Sequence, residues 1–173
     1  NAPALPTNVC APLAIVLDSQ NKRPIGFSML PLSSGYEVVQ MLGSRKFRTS
    51  NPQITAKFIA ELFIHIYHTI AKCHERGVII GDNNDLNLKF SLINPLSAFI
   101  DADSYQFDKY PCVVATEDFL VPELYNKDLA TGCYFKPEFD WYAYWIMLIR
   151  SLIRVHPYGG VHNILKSLPK RAK

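Results

Sequence analysis

The chain predicts an α+β domain, mainly helical, with small antiparallel hairpins. Two observations carry the helical part. Apolar residues recur at helical spacing through Ile54, Phe58, Leu62, Ile66 and Ile70, and a second apolar stretch covers residues 139–155. A third carries the strands: short apolar runs come in pairs around polar turns, residues 13–17 with 25–30 and residues 88–93 with 98–101. With 173 residues, 49% apolar and 19% charged, the chain suffices for one domain with a real core.

Taken in order, residues 1–12 are rich in Pro and Ala and read as irregular. Residues 13–17 (LAIVL) and 25–30 (IGFSML) flank a polar turn, a strand, turn, strand pattern. Residues 35–50 mix charged and apolar side chains and predict one short surface helix. Asn51-Pro52 is a helix start signal, a capping side chain followed by proline at the first helical position. The stripe that begins at Ile54, widened by Ile59, Phe63 and Tyr67, runs until Gly77 stops it. That helix is expected to be mostly buried. Residues 139–155 are interrupted by Asp140, Arg150 and Arg154 and fall short of the roughly 20 clean apolar residues of a membrane span. A buried core helix is the expectation there.

Composition excludes several classes. The net charge of +3 is small, and the one concentrated basic run, Lys166, Lys170, Arg171 and Lys173, reads as a solvated end rather than a nucleic-acid arm. Cys10, Cys73, Cys112 and Cys133 form no C-x-x-C pair, which argues against a zinc ribbon or a disulfide framework and for a cytoplasmic setting. No leader-like segment supports secretion, and no partner membrane is expected. His65, His68, Cys73 and His74 invite a metal reading, but no matching third and fourth ligands complete a zinc set, so packing and surface polarity are expected instead. The start at Asn1 reads as a fragment, a processed form or the ordered part of something longer.

Chemistry concentrates in residues 77–106, GVIIGDNNDLNLKFSLINPLSAFIDADSYQ. A fold-back centred near Asn94 places Asn87 across from Asp101, with Cβ atoms roughly 5 Å apart. An amide oxygen and a carboxylate at that separation suit a shared Mg²⁺. Asp82, five residues before Asn87 in a polar loop, can approach the same place.

Asp82 and Asn87 reproduce the D-x-x-x-x-N catalytic loop of protein kinases, and Asp101-Ala102-Asp103 stands where those enzymes carry D-F-G. Residues 115–123 (ATEDFLVPE) resemble the segment closing a kinase activation loop. Asp140-Trp141, a long apolar helix and His156-Pro157-Tyr158 resemble the D-x-W helix and its H-P-F end. These motifs cover residues 77–160, and I-G-D, I-D-A-D-S-Y and H-P-Y-G-G look like bacterial kinase-like proteins with a helix-hairpin-helix tail. The resemblance implies residues 1–34 as a remnant of the N-lobe, two strands and a hinge, and residues 35–173 as a kinase-like C-lobe. An ordinary hairpin accounts for residues 13–30 equally well.

Site roles follow from the resemblance. Asp82 accepts or orients the acceptor hydroxyl's proton, and Asn87 and Asp101 hold Mg²⁺ on the phosphates of ATP. Met29, Leu30 and Pro31 form the hinge against the adenine, Thr116 belongs to the peptide shelf, and Glu123 pairs with a C-terminal arginine. Asp140 accepts hydrogen bonds from catalytic-loop amides, besides sitting as a favourable carboxylate in the first turn of its helix. Tyr105 and Tyr110 are aromatic anchors of the activation loop.

The departures matter too. Ile80-Gly81-Asp82 replaces H-R-D, which implies constitutive geometry rather than phosphate switching. Asn84 stands where Ser/Thr kinases carry a lysine on the γ-phosphate, which implies slow transfer or an unusual acceptor. Asp103 replaces the D-F-G glycine, limiting flips of that segment; a second reading adds its charge to the metal site. No glycine-rich loop, strand lysine or partner glutamate precedes residue 13. Three readings follow: a phosphotransferase acting on protein Ser/Thr, a pseudokinase or truncated kinase fold serving as an interaction module, and a small-molecule phosphotransferase of the aminoglycoside kinase type. Residues 116–123 argue against the last. A protein partner, one supplying the missing N-lobe parts, fits the first two.

Overall fold

The computed structural model describes residues 3–131 and 134–172. Asn1, Ala2, Gly132, Cys133 and Lys173 lie outside them, and with them one of the four cysteines and the end of the basic tail. The described chain runs β1 (Ala14–Leu17), β2 (Pro24–Ser28), β3 (Tyr36–Val38), α1 (Arg45–Ser50), α2 (Ala56–His74), β4 (Val78–Ile79), β5 (Leu88–Ser91), β6 (Ser97–Phe99), β7 (Gln106–Phe107), α3 (Pro137–Ile153) and α4 (Leu168–Ala172). Short 3₁₀ turns fill the connections, and the class is α+β. All strand pairs are antiparallel, in three small sheets ordered β1-β2, β3-β5-β6 and β4-β7.

The core forms where α2 packs on α3. The helical stripe of α2 buries Phe58, Ile59, Leu62, Phe63, Ile66 and Ile70, and α3 answers with Ala143, Tyr144, Ile146 and Met147. Phe63 and Tyr144 meet edge to face at 5.5 Å, and the Tyr144 hydroxyl donates to the Phe63 carbonyl at 3.2 Å. The β5–β6 hairpin lays Leu88, Phe90 and Phe99 on the same core. Each such burial is worth roughly 1.5–3 kcal/mol. Together they make α2 the floor on which the 77–106 stretch rests.

Several boundaries differ from the sequence expectation, each for a local reason. The cap of α2 is Thr55, whose side chain accepts from the Phe58 amide at 3.2 Å. Asn51 instead finishes α1: its amide donates to Arg48 and its side chain to the Phe47 carbonyl. The segment 35–50 holds the expected short helix, but Tyr36–Val38 also pairs with β5 and extends the hairpin to three strands. Residues 106 and 107, expected in a loop, pair with β4. The second long helix begins at Pro137, two residues early, and ends at Ile153, where Arg154 caps it with φ +64°.

The most consequential difference is the hairpin register. Leu88 pairs with Phe99, Lys89 with Ala98 and Phe90 with Ser97, and the Ile100 amide donates to the Asn87 carbonyl at 2.9 Å. Asn87 therefore lies across from Ile100, not Asp101. A slip of one residue turns side chains to the opposite face. Asp101 follows in the left-handed conformation, φ +64° and ψ +34°, so the extended strand ends before it.

The β1–β2 hairpin stands apart from this packing. Leu13, Ile15, Val16, Leu17, Ile25, Phe27, Met29 and Leu30 are 40–70% exposed, on both faces of the ribbon. Among the described residues no helix is long and apolar enough to cross a membrane.

Candidate functional site

The site is built on one buried carboxylate. Asp140, fully buried in the first turn of α3, accepts the Ile80 amide at 2.9 Å on Oδ2 and the Gly81 amide at 2.9 Å on Oδ1. His74, at the end of α2, donates from Nε2 to Oδ2 at 2.8 Å. Asn83 donates to the Asp140 carbonyl at 3.1 Å. Charge-assisted bonds of this kind are strong, and they clamp the segment from Ile80 to Asn83 onto the central helix. Gly81 is required for the approach: its φ is +75°, and a Cβ there would lie 2.6 Å from Cys112 Sγ. The gap left by glycine is what lets the two segments touch.

The clamped loop presents Asp82. Its Oδ1 accepts the Thr116 amide at 2.8 Å, and the Asn87 side-chain amide sits 3.4 Å from Oδ2 and 3.2 Å from the Asp82 carbonyl. Oδ2 thus keeps acceptor capacity. Asp101 carries a carboxyl pushed above its usual range by partial burial first, then by the charges of Asp103 and Asp82. Asp82 and Asn87 are thus in contact, and Asp101, next to the Ile100 that pairs with Asn87, is near enough to feel the Asp82 charge. Among the described residues, neither the Asp101 carboxylate nor Asn87 Oδ1 has a hydrogen-bond partner.

Asn84 differs from what its position implied. Its side chain is buried; Nδ2 donates to the Asp82 carbonyl and Thr116 Oγ1, while Oδ1 accepts the Leu86 and Asn87 amides. All four positions of the amide are taken. It cannot reach outward to a phosphate, and it shapes the loop that aims Asn87.

Other expected residues fall nearby or apart. Thr116 joins the cluster through its amide and hydroxyl. Glu123 is exposed at the rim of an open cavity of about 590 Å³ and has no arginine partner among the described residues. Met29, Leu30 and Pro31 form an exposed segment after β2. Tyr105 is buried, whereas Tyr110 is exposed and rests against Phe107 at 5.2 Å.

Three participants had no signal in the sequence. His74 reaches Asp140 across 66 residues, a pairing that only the fold shows. Asp85 is buried beside Arg150, with Oδ2 2.9 Å from Nη1. Burial pushes its carboxyl up to about 6 even though Arg150 pulls the other way. Asn83 Oδ1 is buried without a partner among the described residues, against a small void lined by Asp82 and Thr116.

The site therefore defines a class: an α+β scaffold presenting an acid, an amide oxygen and a second acid from one loop and hairpin. In sequence, the chain is 28% identical over 159 residues to the proteins named protein kinase YegI of Escherichia coli K12 and of Escherichia coli O157:H7. The match covers 88% of this chain and 24% of each relative, so the chain spans about a quarter of their length. No family model matches the chain. The similarity supports a kinase-like relationship, weakly.

Proposed function

We propose that the chain is the catalytic-lobe portion of a protein kinase-like phosphotransferase that uses ATP and Mg²⁺ and acts on Ser or Thr hydroxyls of a protein. The observation that supports the reading is that Asn87 contacts Asp82, while Asp101 is near enough to feel the Asp82 charge and, among the described residues, its carboxylate and Asn87 Oδ1 have no hydrogen-bond partner.

The residues fit the proposed cofactor. Asp101 and Asn87 offer hard oxygen donors, and the burial and, after it, the charges of Asp103 and Asp82 that raise Asp101 are penalties that a divalent cation relieves. Among the described residues no three His, Cys, Asp or Glu side chains form a metal cage. Two protein ligands with phosphate and water completing the shell is the usual Mg²⁺ arrangement. When bound, the ion neutralises charge on the phosphates.

The protein's own part is orientation. Asp82, held through Oδ1 by the Thr116 amide, directs Oδ2 at the acceptor hydroxyl and takes up its proton as the hydroxyl attacks. Thr116 and its neighbours form the shelf for the acceptor peptide. Asp140 and His74 keep the loop from drifting. Met29, Leu30 and Pro31 serve as the adenine hinge, residues 1–34 as the N-lobe remnant and residues 35–173 as the C-lobe.

Asp82→Ala should abolish phosphate transfer while leaving Mg²⁺-dependent stabilisation by ATP nearly unchanged. Unchanged turnover would sink the assignment. A second reading, a pseudokinase or truncated kinase fold serving as an interaction module, is favoured by the apolar hairpin exposed on both faces and by the inward-turned Asn84. It predicts thermal stabilisation by ATP that is absent or indifferent to Mg²⁺.

A further inference from the structure

On the outer side of α2 a cavity of about 440 Å³ opens between the helix and the segment 5–8. Every ionisable side chain that lines it is basic: His65, His68, Lys72 and Arg76. Spaced by three and four residues, they share one face of α2 and the turn after it. None has a carboxylate within ion-pair distance among the described residues. Glu61, one turn before His65, leans to Lys57 at 3.8 Å instead. Segment 5–8 contributes Leu5, Pro6, Thr7 and Asn8, with no charge.

The floor of the cavity is wired in place. Asn8 donates from Nδ2 to Thr69 Oγ1 at 2.9 Å and to the Ser97 carbonyl at 3.1 Å, and Thr69 donates to the His65 carbonyl at 3.0 Å. The Ser97 amide donates to His65 Nδ1 at 3.1 Å, with the Ser97 hydroxyl 2.8 Å away. Nδ1 is therefore the acceptor, and the ring proton sits on Nε2. Burial, then the charges of His68 and Lys72, hold His65 below its usual value. The cavity thus combines a fixed N–H of His65, an ammonium, a guanidinium and a second imidazole, against an apolar wall of Leu5 and Pro6.

We propose that this cleft binds a phosphomonoester, carried on a phosphorylated polypeptide side chain or on a small phosphorylated metabolite. A dianion with three terminal oxygens matches this donor set better than a carboxylate, whose two oxygens leave the rest unpaired. The apolar wall and the volume accommodate the organic body. The cleft is separate from the proposed transfer site: Ser97 lies at the turn end of the β5–β6 hairpin, four residues or about 13 Å of strand from Asp101. The inference does not depend on the phosphotransferase reading.

The test titrates N-acetyl-phosphoserine amide, a phosphoserine hexapeptide and a hexose phosphate into the protein, following the His65 and His68 ring protons by NMR. Both rings should shift with saturation at millimolar ligand. Lys72→Glu with Arg76→Glu should weaken binding about 10- to 100-fold. Lys57→Glu, on the same helix but outside the cleft, should leave it unchanged. Tighter binding of the peptide by about 10-fold assigns a polypeptide source, and equal binding assigns a metabolite. No saturation by any of the three, or equal losses from the Lys57 and the Lys72/Arg76 variants, overturns the proposal.

Discussion

Gly81→Ala is expected to lower the free energy of unfolding by about 2–5 kcal/mol, from two sources. Gly81 sits at φ +75°, where an L side chain costs ~1–2 kcal/mol. The added Cβ would lie 2.6 Å from Cys112 Sγ and 2.7 Å from Cys112 Cβ. Forcing a methyl into such a contact costs ~1–3 kcal/mol. Cys112 has nowhere to go: it is buried against Val121, Leu124 and Phe135, and its thiol donates to the Val114 carbonyl at 3.3 Å. Urea denaturation followed by circular dichroism measures the loss. Cys112→Gly removes both clashing atoms but not the backbone strain. The double variant should therefore recover the steric part, a coupling of ~1–3 kcal/mol in the cycle. A loss below ~1 kcal/mol, or no coupling with position 112, would refute the close approach as the reason for glycine.

Three further outcomes follow from buried charges. Asp85 has a folded value of about 6 against an ordinary 3.8, so its ionisation opposes the fold; its contribution is largest below about pH 4 and is lost as pH rises through 6. The full difference is at most ~3 kcal/mol, and Asp85→Asn should flatten the pH dependence of stability in that window. Arg150→Met, which leaves the carboxylate without its cation, should cost about 3–5 kcal/mol at pH 8 and visibly less at pH 5. A loss independent of pH would contradict the pairing. Asp140→Asn replaces an acceptor of three donors by a group that itself donates, and should cost about 2–4 kcal/mol. Heat denaturation reads it, and a change under ~1 kcal/mol would remove Asp140 from its place as anchor of the loop.

What could be read before the structure was what local periodicity dictates. The stripe from Ile54 to Ile70 and the apolar stretch before Arg154 each carry more than three turns of consistent spacing, and both are helices. The hairpin was legible as a hairpin, but its register was not. The turn closes with the Ser91 amide on the Leu96 carbonyl, so Phe90 faces Ser97 and the whole ribbon shifts by one. β3 was too short to show alternation, and Asn51 carried a start signal that the fold spends on ending α1. At the candidate site, the residue types of the loop and hairpin pointed to oxygen chemistry. The supports did not show: His74, Asp85 and Arg150 act across 60 or more residues, where no spacing rule reaches. Asn84 illustrates the same limit, since only the folded loop reveals that its amide is spent inside it.

The proposed phosphotransfer chemistry requires that Asp82, Asn87 and Asp101 surround one metal-dependent phosphate site. Substituting Mn²⁺ for Mg²⁺ in the presence of ATP and mapping paramagnetic broadening of the assigned amide resonances tests it directly. The broadening should centre on Asn87, Asp101 and Asp82, and Asp101→Asn with Asn87→Ala should disperse it. Broadening centred elsewhere on the chain, or unchanged in that double variant, would rule out a shared metal site at these three residues.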